Sequence, residues 1–383
     1  MRMKIGIVCP YNILKDGGVQ EHVKSLQAEL LVRGYEAKII TPLPRDFHHA
    51  PDLPNVIFVG TSTDFHSPLH TSGQVSATAD TDTIDKVLTS EQFDILHFHE
   101  PWTPMLSRQI LQRSTSINIA TFHAKIPETL MSRTVIRVVT PYMKSCLKYI
   151  HEYTAVSTSA AEYVGGLTDE PITIIPNGID LDHYKFQKKA VLPDDQAKMI
   201  LFIGRLERRK GVKYLLHAYQ VLTRENPNLK LVIAGDGPDR EKLMLLAEDL
   251  RLPNVTFLGY ISDELKMQLL HDAAVFCSPA VYGESFGIVL LEAMATGTVV
   301  VAGNNSGYTD VMQGVGAISI INPHDSQEFA RRLETLLYEP ALCALWQKWA
   351  TKFVKQFSYA NIVDRYEELY AEALKHDRDE PTA

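Results

Sequence analysis

Short apolar, β-branched runs alternate with longer helical patterns along the whole of this chain. The strand candidates in the first half are residues 4–9, 37–41, 56–59, 95–98, 119–122 and 154–157. Those in the second half are residues 172–175, 200–203, 230–234, 256–258, 275–277, 298–302 and 317–320. Repeated strand–helix–strand units fold into parallel sheets that are covered by helices. Because each half has enough strands for a complete sheet, the pattern predicts two doubly wound α/β domains.

The length of 383 residues agrees with two domains at about 150 residues each. The rhythm is interrupted between residues 171 and 198, so we expect a first domain at 1–170 and a second at 171–357. The segment 61–83 is rich in Ser, Thr and Asp, which predicts a long surface loop. The tail at 358–375 carries apolar residues at helical spacing and must pack on another part of the chain; these are Ile362, Val363, Tyr366, Leu369, Tyr370 and Leu374.

Charge and cysteine content exclude several classes of protein. The net charge of −8 argues against a general nucleic-acid binder. The four cysteines form no C-x-x-C pair, so neither a disulfide scaffold nor a zinc knuckle is predicted, and a reducing, cytoplasmic location is expected. The apolar run at 5–9 is too short for a signal peptide, and the stretch 285–303 is broken by Glu292 and Gly297. Any membrane role is therefore expected to be peripheral.

A basic stripe in residues 131–150 is the one candidate for membrane contact. Its cations fall within about 60° on a helical wheel and are Arg133, Arg137, Lys144 and Lys148. Such a stripe can bind anionic lipid headgroups on the cytoplasmic face of a membrane. A solvated helix face explains the same residues.

Two glycines, Gly17 and Gly18, follow the first strand and open a helix. Glycines at a helix N-terminus let the backbone approach a phosphate and present N–H groups to it. A plain tight turn is the alternative. A nicotinamide cofactor would require G-x-G-x-x-G here, and its absence disfavours a dinucleotide oxidoreductase.

Arg205 and Lys210 flank the turn that follows the strand at 200–203. The guanidinium fork and the ammonium point charge can converge on a diphosphate. A solvated basic turn is the alternative, although positive charge at a helix start opposes the helix dipole and calls for an anion.

Glu284 and Glu292 form the most informative pair. Eight residues correspond to about 80° around a helix, so both carboxylates are expected to face one ligand, with Glu284 at the helix mouth and Glu292 two turns inside. A carboxylate in an apolar helix is unfavourable unless it is hydrogen-bonded, and sugar hydroxyls are suitable partners. A helix-dipole partner and a buried ion pair are the structural alternatives.

The chain resembles the retaining glycosyltransferases of family 4 over nearly its whole length. The Glu-x7-Glu element and residues 204–211 carry the resemblance, and residues 8–11, 17–20, 97–101 and 121–123 are similar to the phosphatidylinositol mannosyltransferase group. The resemblance implies the GT-B fold, in which two Rossmann-like doubly wound parallel-sheet domains face each other across a cleft. It also implies that a helix at 358–376 crosses back onto the first domain, and that the second domain binds a nucleotide-sugar donor.

The same resemblance implies the roles of individual residues. His123 would contact the reacting sugar, Arg205 and Lys210 would balance the charge of the departing diphosphate, and Glu284 would bind the transferred sugar. The implied donor-binding set is Gly17, Gly18, Arg205, Lys210, Asp263, Lys266, Glu284, Phe286, Gly287, Ile288, Val289 and Glu292. The implied acceptor-binding set is Tyr11, Gln20 and His123.

No metal site and no tightly bound cofactor are predicted. His97 and His99 share one strand face, but no carboxylate or cysteine at a ligand spacing completes a set with them. The D-x-D patterns at 80–82 and 180–182 lack the flanking strands of a metal-dependent transferase. Mg²⁺ is expected at most to stimulate the reaction.

The nature of the donor and the acceptor follows from the resemblance alone. In the mannosyltransferase group the segment 262–266 meets guanine, so Asp263 and Lys266 would bind the base, although Ser262 and Asp263 also match a helix cap. The expected function is transfer of mannose from GDP-mannose to a phosphatidylinositol-type lipid. The alternative is a transferase that uses a UDP-sugar and a soluble acceptor, such as an inositol phosphate or a cell-envelope glycan precursor.

Overall fold

The computed structural model describes residues 2–15, 17–44, 51–66, 72–78, 80–103, 106–124, 130–184 and 197–379. Side chains are described for these residues except 64–66, 72–78, 130–137 and 377–379. The chain forms two compact units: unit 1 comprises Met1–Gly178 and Tyr359–Ala383, and unit 2 comprises Ile179–Ser358. The sequence analysis places the boundary after residue 170, eight residues earlier.

Unit 1 contains an eight-stranded sheet. Its strands are β1 (Lys4–Val8), β2 (Glu36–Leu43), β3 (Val56–His66), β4 (Ser72–Thr78), β5 (Ile95–His99), β6 (Ile117–Phe122), β7 (Glu152–Ala155) and β8 (Ile172–Ile174). The strand order is β4-β3-β2-β1-β5-β6-β7-β8, in which β4 pairs antiparallel with β3 and the other neighbours pair in parallel.

Helices cover both faces of this sheet. They are α1 (Gly18–Val32), α2 (Thr81–Glu91), α3 (Leu106–Leu111), α4 (Leu130–Leu147), α5 (Thr158–Gly165) and, from the end of the chain, α13 (Tyr359–Asp379). One apolar cluster joins β1 and β5 to α1 and α13, and it includes Ile5, Val23 and Tyr366. A second cluster covers the opposite face with residues of α2 and α3.

Unit 2 contains a six-stranded parallel sheet. Its strands are β9 (Met199–Ile203), β10 (Lys230–Ala234), β11 (Val255–Gly259), β12 (Val275–Ser278), β13 (Val299–Gly303) and β14 (Ile320–Ile321), in the order β11-β10-β9-β12-β13-β14. Its helices are α6 (Val212–Leu222), α7 (Arg240–Asp249), α8 (Asp263–Asp272), α9 (Ile288–Ala295), α10 (Ser306–Val311), α11 (Ser326–Tyr338) and α12 (Pro340–Phe353). Short 3-10 turns lie at Arg208–Lys210, Gly314–Ser319 and Val354–Phe357.

The predicted fold class, two doubly wound parallel-sheet domains, is confirmed. In unit 2 the strand order reverses between β9 and β12, which are neighbours in the sheet. The loops at the carboxyl ends of two strands on either side of such a reversal diverge, and ligands of these folds bind between them. This topology places the loop after β9 beside the loop after β12.

The prediction of a long loop at 61–83 is wrong. Residues 61–66 continue β3, residues 72–78 form β4, and α2 begins at Thr81. Asp80 caps α2 by accepting from the backbone N–H groups of Asp82 and Thr83. Edge strands are joined by main-chain hydrogen bonds, so a Ser/Thr-rich segment can form one without the apolar pattern that reveals central strands.

Two other predicted strands differ in the structure. The strand predicted at 172–175 is β8, which pairs with β7 and so belongs to unit 1 instead of the second domain. The strand predicted at 317–320 is mostly the 3-10 turn Gly314–Ser319, and only Ile320–Ile321 pairs with β13.

Candidate active site

The turn after β9 and the loop before α9 meet at the carboxylate of Glu284. Lys210 Nζ lies 2.8 Å and Arg209 Nη1 lies 2.6 Å from Glu284 Oε1. The side chains of Lys210 and Glu284 are 14% and 12% exposed, so water screens this ion pair only weakly. The structure therefore brings together two of the predicted catalytic residues, Lys210 and Glu284.

Arg209 is a member of this cluster that the sequence analysis missed. It also donates to Glu207 at 3.1 Å and to the carbonyl of Gly283 at 3.0 Å. Burial alone would lower the pKa of Arg209, but the carboxylates of Glu284 and Glu207 raise it above its usual value. Three consecutive cations stand at 208–210, and only the geometry of the turn reveals which of them face Glu284.

The position of Glu284 corrects the expected helical geometry. Helix α9 begins at Ile288, so Glu284 precedes the helix and the predicted angle of about 80° between the two glutamates does not apply. Gly287 ends the intervening loop with a φ of 102°, and an added Cβ there would lie 2.7 Å from the ring of Tyr308. This left-handed residue delays the helix start and turns the loop toward Lys210.

Glu292 lies inside α9 and holds a second cluster of polar groups. Lys266 Nζ lies 2.6 Å and Tyr184 Oη lies 2.9 Å from Glu292 Oε1. Lys266 also donates to Tyr184 at 2.9 Å. The buried ion pair that stood as a structural alternative is thus formed, and Tyr184 is a partner that the sequence analysis missed.

Asp263 and Ser262 lie at the N-terminus of α8. Ser262 caps the helix by accepting from the N–H of Leu265, as the capping pattern predicts. The side chain of Asp263 is 55% exposed, with His183 Nε2 at 2.7 Å and Lys266 Nζ at 4.0 Å. Asp263 and Lys266 are therefore close enough to contact one small ligand.

The remaining predicted donor residues of unit 2 differ in their surroundings. The N-terminus of α9, at Ile288 and Val289, has no side-chain cap, since Gly287 precedes it. Phe286 is 5% exposed and its ring packs 5.7 Å from that of Phe357, which gives it a structural role. Arg205 is exposed, and the cations nearest Glu284 are instead Arg209 and Lys210.

In unit 1, Gly17 and Gly18 open α1 as expected. Helix α1 begins at Gly18, and no side chain caps it. An added Cβ at Gly17 would overlap the side-chain amide of Gln20, so a larger residue there would require Gln20 to move. Tyr11 lies near Glu100, whose charge together with burial raises the pKa of the Tyr11 hydroxyl.

His123 directly follows β6 and is 8% exposed. Its Nε2 lies 2.8 Å from Nδ1 of His99. Its backbone N–H and that of Ala124 donate to Glu100 Oε1 at 2.6 and 2.7 Å. Burial raises the pKa of Glu100 to about 7 in spite of these two hydrogen bonds. The carboxyl group thus fixes the backbone at the end of β6.

Three further histidines surround His123. His97 and His99 share a strand face, as predicted, with ring centroids 4.5 Å apart. His22 of α1, which the sequence analysis did not single out, lies 5.2 Å from His123 between ring centroids. Burial lowers the pKa of His22 to about 4 and that of His97 to about 3, and it holds those of His99 and His123 well below their usual value. All four imidazoles are neutral at physiological pH.

The basic stripe falls on α4. Lys144 is exposed, and so is Lys148 just beyond the helix, while the side chains of Arg133 and Arg137 lie outside the described residues. Val138 on this helix is 75% exposed. Among the described residues, no helix has both the length and the apolar character that crossing a membrane requires.

Comparison with known proteins agrees over both units. The family described as Glycosyltransferase Family 4 matches residues 16–183, and the family described as Glycosyl transferases group 1 matches residues 184–353. A phosphatidyl-myo-inositol mannosyltransferase of Mycolicibacterium smegmatis is 31% identical over 97% of this chain and 96% of its own length. One from Mycobacterium tuberculosis strain H37Rv is 33% identical over 86% of this chain and 85% of its own.

Two solved structures show a similar fold. Sucrose-phosphate synthase from Thermosynechococcus elongatus has a TM-score of 0.78 at 20% identity, covering 98% of this chain and 100% of that one. Anabaena HepE in complex with UDP has a TM-score of 0.72 at 20% identity, covering 97% of this chain and 100% of that one.

Proposed function

Because this chain belongs to glycosyltransferase family 4, we propose that it transfers mannose from GDP-mannose to a phosphatidyl-myo-inositol lipid, with retention of the anomeric configuration. The names of the relatives that are 31% and 33% identical support mannose as the transferred sugar and phosphatidyl-myo-inositol as the acceptor. The observation that carries the proposal is the cluster of Glu284, Arg209 and Lys210 beside the uncapped N-terminus of α9.

Departure of the diphosphate is the step that these residues serve. Cleavage of a glycosyl phosphate produces an oxocarbenium-like sugar and an anion, so groups that stabilise the leaving charge lower the barrier. Lys210 is held in place by Glu284 before the donor arrives. When the diphosphate binds, Lys210 contacts its oxygens, Arg205 adds a second cation, and Glu284 accepts hydrogen bonds from hydroxyls of the mannose.

The N-terminus of α9 supplies the second half of the phosphate site. The backbone N–H groups of Ile288 and Val289 stand at the positive end of the helix dipole, and no side chain caps them. Inside the same helix, Glu292 is placed to accept from the ribose hydroxyls once Lys266 turns away from it. One short helix thus binds the phosphates at its start and the ribose at its second turn.

The base is bound by Asp263 and Lys266. A carboxylate can accept from two N–H groups on one edge of guanine, and an ammonium can donate to the carbonyl oxygen attached to the guanine ring. Asp263 and Lys266 are three residues apart on α8, so both side chains can reach neighbouring groups on one ring once Lys266 has left Glu292. Uracil lacks that pair of donors, so this arrangement favours GDP over UDP.

Acceptor activation needs no separate base in this proposal. The acceptor hydroxyl attacks from the face that the diphosphate leaves, and the leaving phosphate oxygen takes its proton. His123 is neutral and can exchange hydrogen bonds with a sugar hydroxyl without adding charge. Tyr11 and Gln20, also in unit 1, would bind the acceptor, while Lys144 and Lys148 of the basic stripe would contact anionic lipid on the cytoplasmic face.

The test is transfer by the purified full-length protein with GDP-mannose and vesicles that contain phosphatidylinositol. We expect release of GDP and a mannosylated lipid detectable by mass spectrometry. Lys210→Gln and Glu284→Gln should each lower kcat about 100-fold or more, as removal of one group that stabilises the transition state does. Lys213→Gln and Glu241→Gln, which alter exposed side chains of α6 and α7, are the matched controls and should retain activity.

The choice of nucleotide has its own measurement in the same experiment. Calorimetric titration should give tighter binding of GDP than of UDP, and Asp263→Asn should weaken GDP binding about tenfold while it leaves UDP binding unchanged. Equal loss of both nucleotides, or full turnover by Lys210→Gln, would contradict the proposed site.

A further inference from the structure

Three buried histidines of unit 1 converge although they come from three different elements. His22 lies in α1, His99 ends β5 and His123 follows β6. A nitrogen from each imidazole lies within 4.8 Å of the nitrogens from the other two. We propose that this histidine cluster binds one divalent transition-metal ion of the Zn²⁺ type.

The ring spacing matches a metal centre. Metal–nitrogen bonds of about 2.05 Å in a tetrahedral arrangement place imidazole centroids about 5.2 Å apart. The three observed separations are 5.4 Å for His22 and His99, 5.2 Å for His22 and His123, and 5.1 Å for His99 and His123. The rings thus form a nearly equilateral triangle of the required size.

Unpartnered nitrogens in the cluster point to a missing ligand. Both ring nitrogens of His22 are buried, and within the described part of the chain neither has a hydrogen-bond partner. His22 and His99 are fully buried. A buried polar group without a partner is unfavourable by about 1–3 kcal/mol, which binding of an ion to its lone pair would remove.

The chemistry of the cluster suits Zn²⁺ better than Mg²⁺. Mg²⁺ prefers oxygen ligands, whereas neutral imidazole nitrogen is a preferred ligand of Zn²⁺ and related ions. Three histidines leave the fourth tetrahedral position open for water or another ligand, as in catalytic zinc sites.

Small side-chain movements complete the site. His99 Nδ1 and His123 Nε2 are 2.8 Å apart, and tetrahedral ligands on zinc stand about 3.3 Å apart. The ring centroids already have the required spacing, so small rotations of the rings can separate these two nitrogens by about half an ångström and turn a nitrogen of His22 toward the same point. The neighbouring His97 helps to position His99, since the two ring centroids lie 4.5 Å apart. The ring nitrogens of His97 are themselves hydrogen-bonded to Tyr370 at 2.8 Å and to Thr121 at 2.7 Å.

Metal binding has a consequence for catalysis that rests on the proposed function. His123 is the histidine that would contact the transferred sugar, and a coordinated imidazole cannot offer the same nitrogen to a hydroxyl. We therefore expect Zn²⁺ to inhibit transfer reversibly.

The absence of a metal site from the sequence analysis has a physical reason: His22 and His123 are far from His99 in the chain, and no local spacing joins them.

The first measurement is direct binding of Co²⁺ to tag-free, full-length protein freed of metal with a chelator. We expect one Co²⁺ per chain, with the intense visible absorption of tetrahedral cobalt, and its loss on addition of Zn²⁺. His22→Leu removes one ligand and should abolish this absorption, and His22→Asn is a second variant that keeps a polar side chain. His151→Gln, a histidine of unit 1 outside the cluster, should bind as the unaltered chain does.

Folding is checked by the Tm in the presence of chelator. The His22 ring makes no hydrogen bond within the described residues, so His22→Leu should melt at or above the Tm of the unaltered chain, and Zn²⁺ should raise the Tm of the unaltered chain only. Absence of tetrahedral cobalt absorption, or the same absorption in His22→Leu and His22→Asn, would overturn the site.

The second measurement is mannose transfer with Zn²⁺ added and then removed. Inhibition that a chelator reverses, and that His22→Leu resists, would establish competition with the sugar. Binding without inhibition would overturn the competition and leave the metal site standing. If no transfer from GDP-mannose is found at all, the proposed function fails, whereas the cobalt titration still decides the metal site.

Discussion

At the scale of single residues, two lysines of unit 2 form ion pairs with the two carboxylates that would bind the donor in the proposed function. Lys210 binds Glu284, and Lys266 binds Glu292, each within 2.8 Å. Sequence motifs identify all four of these residues because the family spacing is specific. They do not identify the pairing, since it depends on how a 3-10 turn presents residues 208–210 and on where Tyr184 packs.

Glu91 gives a residue-scale prediction about pH. It binds Lys4 at 2.7 Å and Lys38 at 2.8 Å, and although burial raises its pKa, these two ammonium groups lower it overall. A carboxyl with a lowered folded pKa stabilises the fold above its unfolded pKa of about 4.3, and this contribution is lost as pH falls through the folded pKa. Glu91→Gln should therefore lower the Tm near neutral pH.

The pH series supplies the control for Glu91. Glu91→Gln should approach the Tm of the unaltered chain as the pH falls through the lowered pKa of Glu91, below which the carboxyl is protonated in both states. Glu162→Gln removes an exposed carboxyl of α5 and should change little at any pH. A Tm difference for Glu91→Gln that stays constant with pH would show that the ion pairs do not stabilise unit 1.

At the scale of elements, loops before helices decide where the charged groups stand. Central strands and long helices are predictable because their apolar periodicity is strong. The hairpin of β3 and β4 is not, since its pairing depends on main-chain hydrogen bonds in a polar segment. Helical spacing alone places the start of α9 at Glu284, four residues too early, because it does not reveal the left-handed conformation of Gly287, which lies beside Tyr308 in another helix.

Gly287→Ala tests this element. The alanine would have to adopt a φ of 102°, and its methyl group would lie 2.7 Å from the Tyr308 ring, so the loop that carries Glu284 must move. We expect a lower Tm and a loss of transfer activity of about tenfold or more, because small displacements of catalytic groups are costly. Gly166→Ala, at a negative φ of −73°, is the control and should keep both. Unchanged kinetics in Gly287→Ala would mean that the loop geometry does not matter.

At the scale of the whole molecule, the chain leaves unit 1 after Gly178 and returns to it at Tyr359. Helix α13 then adds Ile362, Val363, Tyr366, Tyr370 and other apolar residues to the core of unit 1. Arg33 of α1 fastens it through ion pairs of 2.6 Å with Asp364 and Glu367. The amphipathic pattern predicts that this helix packs on something, and the resemblance alone indicates where.

Truncation after Ser358 tests the contribution of α13. Five large buried side chains at about 1.5–3 kcal/mol each amount to about 7–15 kcal/mol, which is comparable with the whole stability of a domain. We expect unit 1 of the shortened chain to unfold and to be digested by protease, while fragments of unit 2 resist. A chain that ends at Lys375 keeps these side chains and is the control. Equal protease resistance of both chains would show that unit 1 is stable without α13.

Unit 2 begins and ends at the same place. The N–H of Ile179 donates to the carbonyl of Phe357 at 2.7 Å, and Ile179 forms a β-bridge with Ser358. A segment whose two ends touch behaves as an insertion in a host, and such insertions can be exchanged without rearranging either fold. Under the proposed function, replacing the one contiguous segment between Gly178 and Tyr359 would exchange the residues that bind the sugar nucleotide while leaving the sequence of unit 1 unaltered.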